Sequence, residues 1–202
     1  MADCVSLIAG SITPNCADPI TKGYEHKGII INWDDIDFTA TTFADANTIS
    51  NLVLKSGKKA YEIVQRGNTP FTGSTAEMTV GTISNTVTKN VQFVVLDKGP
   101  DVAKNVIDAL ANGKFVVILE NTWKNLSASH GTKGDSAFEI IGIKQGASMS
   151  AGSRDPYSSD TQGGWQITLT ESESPVSEVY LFKTDYGTTL AMINSLVNPA
   201  EE

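Results

Sequence analysis

The chain is 202 residues long, 40% apolar and 19% charged, which suits one globular domain, or one domain with an appended arm, and excludes a disordered polymer. Its formal charge is −8, from 15 Lys and Arg against 23 Asp and Glu, so it lacks the cation excess of a protein that wraps nucleic acid. No apolar run approaches the ~20 residues of a membrane helix, and no basic-then-apolar leader is visible.

Residues 1–28 read as an extended N-terminal arm. Pro14, Pro19, Gly10, Gly23 and Gly28 break any regular pattern. Cys4 and Cys16 read as two reduced thiols rather than a disulfide, and nothing nearby completes a zinc site. Residues 29–202 read as the folded domain. Ile29-Ile30-Ile31 begins a strand that ends at Trp33 and the acidic corner Asp34, Asp35, Asp37. The stretches 49–55 and 59–65 flank Ser56-Gly57-Lys58 and predict a hairpin. Two alternating segments, 75–80 and 83–88, surround Gly81. The apolar run 91–96 predicts a strand covered on both faces.

Gly99-Pro100-Asp101 then opens the best-marked element, an amphipathic helix over 101–112. Asp101 is the expected cap, Val102, Val106, Ile107 and Leu110 form one apolar stripe, and Gly113 follows the last turn. Strands are expected again at 115–120, at 138–143 continuing to Met149, at 165–170 and at 179–182. Polar loops at 121–135 and 152–164 separate them, and a short helix is expected over 188–197. The order is strands, a helix, then strands, without βαβ alternation. It predicts a mainly β (α+β) chain, a β-sandwich or partly closed barrel with one flanking helix at about 101–112.

Chemistry is sparse. The two histidines, His26 and His130, both sit in loop contexts. No nucleophile elbow, metalloprotease helix or phosphate loop occurs, and Gly131-Thr132-Lys133-Gly134 lacks the frame of the last. Asp34, Asp35 and Asp37, and likewise Asp155 and Asp160, read as solvated acids rather than a calcium loop. Lys58-Lys59, with Lys55 nearby, reads as a polar turn. Hence no catalytic residue, cofactor or metal is expected. Trp123 and Tyr157, one in each long loop, are the candidate interface anchors.

One succession of segments carries a resemblance. The strand Val91-Gln92-Phe93-Val94-Val95-Leu96 leads into the helix. The strand Phe115-Val116-Val117-Ile118-Leu119-Glu120 follows, then Phe138-Glu139-Ile140-Ile141-Gly142-Ile143 and Gly163-Gly164-Trp165-Gln166-Ile167-Thr168-Leu169-Thr170. Over roughly residues 50–182 this order resembles bacteriophage tail-tube proteins, and is similar to the tail ring proteins of crAss-like phages of gut Bacteroidetes. The resemblance implies a tube-type fold and a structural virion protein, made in the host cytoplasm and located in the tail or neck. It implies a homo-oligomeric ring of sixfold symmetry or a multiple, stacked on neighbouring tail, neck or portal proteins. Double-stranded DNA would pass through without specific binding, and no membrane is involved. The alternatives are a capsid decoration or fibre-base β-sandwich module, and an enzyme using Asp34, Asp35 and Asp37.

Overall fold

Ile29 and Ile31 enter one apolar cluster while Ile30 packs against another, and that alternation along a single strand sets the architecture. The computed structural model describes residues 8, 10–14, 16, 18–128 and 131–199. Among them, eleven strands form two open sheets. The larger sheet has seven strands: β1 (Tyr24–Asn32), β2 (Thr42–Phe43), β3 (Thr48–Asn51), β4 (Tyr61–Val64), β7 (Phe115–Asn121), β8 (Phe138–Ile141) and β11 (Tyr180–Leu181). Their spatial order is β2-β3-β11-β8-β7-β1-β4. The smaller sheet, in the order β5-β6-β10-β9, contains β5 (Thr75–Thr79), β6 (Thr86–Val95), β9 (Ser148–Arg154) and β10 (Trp165–Ser174). Two helices complete the fold, α1 (100–112) and α2 (Tyr186–Val197). The result is an α+β β-sandwich rather than a barrel.

The seven-stranded sheet is buried on both sides, so the fold has three layers. On one side Ile29, Ile31, Val116, Ile118, Phe138 and Ile140 meet Met192, Ile193 and Leu196 of α2. On the other, Val117, Leu119 and Ile141 meet Val91, Phe93, Ile167 and Leu169 of the small sheet. Ile107 and Leu110 of α1 enter that second cluster beside Phe115. As the sequence predicts, β7 is buried on both parities along Phe115 to Leu119.

Several boundaries differ from the sequence expectation. β1 begins at Tyr24 rather than after Gly28, because β4 and β7 pair with it from both sides and hold its polar first half extended. The expected 49–65 hairpin does not form. A turn does close at 55–58, where the Lys58 N–H donates to the Lys55 carbonyl, but β3 and β4 lie at opposite ends of the large sheet. Between them the chain passes under α2, where the Ala60 N–H donates to the Leu196 carbonyl at 2.8 Å. β3 instead runs parallel to β11 and antiparallel to β2. The 91–96 run is covered on one face only, because no described residue packs over the outer side of the small sheet.

Helix α1 starts one residue early. Pro100 takes its first position and Gly99 the cap, so Asp101 lies within the first turn, where its charge still suits the positive end. Its middle, Ala103–Ile107, is π-helical. α2 has the side-chain cap that α1 lacks: Asp185 accepts from the Thr188 N–H at 2.8 Å. The strand expected to run from 138 to 149 breaks at Gly142, whose φ is 92° and where a Cβ would lie 2.3 Å from the Phe115 carbonyl oxygen. The chain crosses there from one sheet to the other. β10 in turn runs on to Ser174 through an irregularity at 171–174.

Candidate assembly surface

A groove of about 880 Å³ opens where the two sheets diverge beside α1. Ile30, Ile63, Phe93, Leu110 and Phe115 line it. Tyr61, Val64, Leu96 and Val106 form an exposed apolar collar around it. One wall is β4, the edge strand of the large sheet, whose outward backbone groups have no strand beside them among the described residues. At the bottom, the buried Gln65 side chain bonds to both backbone groups of Val94 and ties the sheets together.

At the other end of β6 the β5–β6 hairpin projects beyond the larger sheet. Met78, Val80 and Ile83 stand in solvent there, Ile83 with 100% of its surface exposed. The outer face of the small sheet is polar and hydrogen-bonded sideways. Asn90 donates to the Thr75 hydroxyl at 3.0 Å, Thr170 donates to Asn90 at 2.6 Å, and Thr170 also meets the Ser150 hydroxyl at 2.6 Å, a chain across all four strands. Gln92 donates to Thr168 at 3.2 Å. By strand parity this face carries Thr, Asn, Gln and Ser with Val94 and the carboxylate of Glu77; Glu173 is exposed at the β10 irregularity, and no Lys or Arg of β5, β6 or β10 faces this way.

Two polar groups of residues lie inside. Lys89 and Glu171, 1% and 0% exposed, form an ion pair at 3.4 Å. The Glu171 carboxylate also accepts the N–H groups of Gly142, Lys144 and Gln145, each at 3.1 Å, and Lys89 donates to Ser174 at 3.2 Å. Every charge there is answered, as burial requires. Nearby, Tyr24 donates to Glu139 at 2.9 Å, and at the surface Tyr180 donates to the exposed Glu178 at 2.7 Å. Burial pushes the Glu139 carboxyl above its ordinary range, with the Tyr24 bond opposing and the Glu178 charge adding to the rise. Burial likewise raises both tyrosines.

The residues singled out in the sequence are dispersed. Tyr157 is 95% exposed at the tip of the β9–β10 loop. Trp123 is half-buried, and its indole N–H donates to Asp18 at 3.2 Å, fastening the arm to the 121–135 loop; the Ser127 hydroxyl also donates to Asp18. The acidic corner separates by function. Asp35 pairs with Lys58 at 3.1 Å and accepts from Asn32, Asp37 caps the N–H groups of Thr39 and Ala40, and the Asp34 carbonyl accepts from Lys55. Among the described residues no three His, Cys, Asp or Glu side chains gather as a metal site. His26 is exposed, with Nδ1 3.1 Å from the Gln65 carbonyl. Around Gly131, the Asp135 carboxylate takes the Thr132 N–H at 2.7 Å, filling the place an anion would need. Cys16 is an exposed thiol, while Cys4 and His130 lie outside the described residues. Among the described residues no helix is long and apolar enough to cross a membrane.

Sequence reasoning missed the groove and the buried ion pair. A signal for the latter existed: Lys89 has the inward parity of Val87, Val91 and Phe93. The groove had none, because β4 and β6 meet only through the tertiary fold. Compared with protein-family models, with curated proteins and with solved structures, the chain matches none of them.

Proposed function

We propose that this chain is a non-catalytic structural subunit of a phage tail or neck, assembling as a ring whose inner wall lets double-stranded DNA pass. The observation that carries this reading is the outer face of the small sheet. Its hydroxyls and amides are bonded to one another across four strands, and no cation projects from β5, β6 or β10. Phosphate binding depends on Lys and Arg, so such a wall gives DNA nothing to hold. The net charge of −8 acts in the same direction at longer range. The open edges β2, β4, β5 and β9 are the parts of the molecule that ring closure would cover.

Tyr157 on its exposed loop is the anchor toward a neighbouring ring or partner, and Trp123 secures the arm that lies beside it in the same assembly. Electron microscopy and mass measurement of the purified protein test the reading. Closed rings with an open centre are expected. A protein that stays monomeric at the highest attainable concentration, and is absent from virions, would end it.

A further inference from the structure

We propose that the tip of the β5–β6 hairpin, residues 80–85, docks into the Gln65–Val94 groove of a second copy of this chain. The proposal deepens the ring reading above and rests on it for closure.

The two surfaces match in character. The tip presents Met78, Val80 and Ile83 to solvent, and residues 78–88 contain no charged side chain in a chain that is 19% charged. The groove has an apolar floor and an apolar collar, with room for several side chains in its 880 Å³. Its rim carries both signs, Glu62 and Asp97 against Arg66, so an uncharged occupant is neither repelled nor in need of a counter-charge. The free edge of β4 offers backbone groups to an incoming extended segment, the β-augmentation mode of binding.

Geometry makes the contact intermolecular. Tip and groove sit at opposite ends of β6, a strand of ten residues, so about 30 Å separates them at about 3.3 Å per residue. They cannot meet within one chain. A contact between different surfaces of identical chains runs head to tail, and it closes into a ring when the rotation per step allows. A tip-to-tip or edge-to-edge contact would instead stop at a dimer.

Crosslinking tests the pairing directly. In a background with Cys4 and Cys16 replaced by Ser, Ile83→Cys and Val64→Cys are made separately, mixed and oxidised. Both positions are exposed, so neither change disturbs the core. Crosslinked dimers are expected in the mixture and in neither sample alone, and a chain carrying both changes should give a ladder. Crosslinks in the Ile83→Cys sample alone, or none anywhere, would overturn the proposal. Independently, Ile83→Asp and Val106→Asp should each raise the concentration for half-assembly at least tenfold. If both variants assemble like the parent, the docking is wrong while the ring reading stands. If the parent itself never assembles, both fall.

Discussion

Gln65 follows β4 of the large sheet and Val94 lies in β6 of the small one, yet the Gln65 side chain treats Val94 as a strand neighbour. Its Oε1 accepts the Val94 N–H at 2.8 Å and its Nε2 donates to the Val94 carbonyl at 3.0 Å. β5 reaches only as far as Asn90 along β6, so these backbone groups would otherwise lie bare beneath the groove. Replacing Gln65 by Ala leaves them unpaired, at a cost of about 2 kcal/mol. Denaturant unfolding should show a lower midpoint, and the Val94 amide should exchange faster with solvent. Unchanged protection of that amide would contradict the assignment.

Lys89 and Glu171 should be far more costly to separate. Lys89→Met strands a carboxylate that has no exposure, a loss of about 3–5 kcal/mol. Glu171→Ala should cost at least as much, since it also strips the partner from three N–H groups of the 142–145 turn. Losses below about 1 kcal/mol in thermal or chemical unfolding would show that the pair is not the staple between turn and small sheet.

Glu139 gives the fold a pH dependence of known sign. Its folded-state pKa is raised above the ordinary 4.5, so the native state holds that proton more tightly than the unfolded chain. The ionised group costs stability above the folded pKa, and the penalty fades as pH falls toward 4.5. Glu139→Gln, which can still accept from Tyr24, should raise Tm at pH 8. The gain should shrink as the pH is lowered toward 4.5. An equal gain at both ends of the range would sink this account.

Tyr157→Ala should leave the isolated fold within about 0.5 kcal/mol of the parent, because its side chain is almost wholly in solvent. Under the assembly reading it should weaken association with neighbouring rings. Trp123→Ala is expected to behave differently, loosening the arm at Asp18, which Ser127 alone of the two donors then holds, and increasing proteolysis near residue 18. If Tyr157→Ala destabilises the subunit itself, its loop has an internal role instead.

What was legible in the sequence followed local rules. The doubly buried β7 showed as apolar residues on both parities, α1 as a stripe after Gly-Pro, and the β9–β10 loop as a polar stretch. What was not legible depends on which strands meet. The turn at Gly57 follows from its own residues, but its flanks part toward opposite ends of a sheet, because β3 pairs with β2 and β11 while β4 pairs with β1. The expected strand ends at Thr170, so no alternation marks Glu171 as inward-facing. Only the fold of the 142–145 segment around it turns that carboxylate inward. The groove is a product of two sheets diverging, for which no sequence window has a signature.

The large sheet has a further consequence in time. β3, formed early in the chain, waits for β11 near residue 180, and the Ala60 N–H waits for the Leu196 carbonyl. These closures span more than a hundred residues. β2 can pair with β3, and β1 with β4, as soon as each is made, but the other side of β3 stays unpaired until β11 exists. Such long-range pairing slows folding and leaves that edge of β3 open to other copies until β11 and α2 are in place.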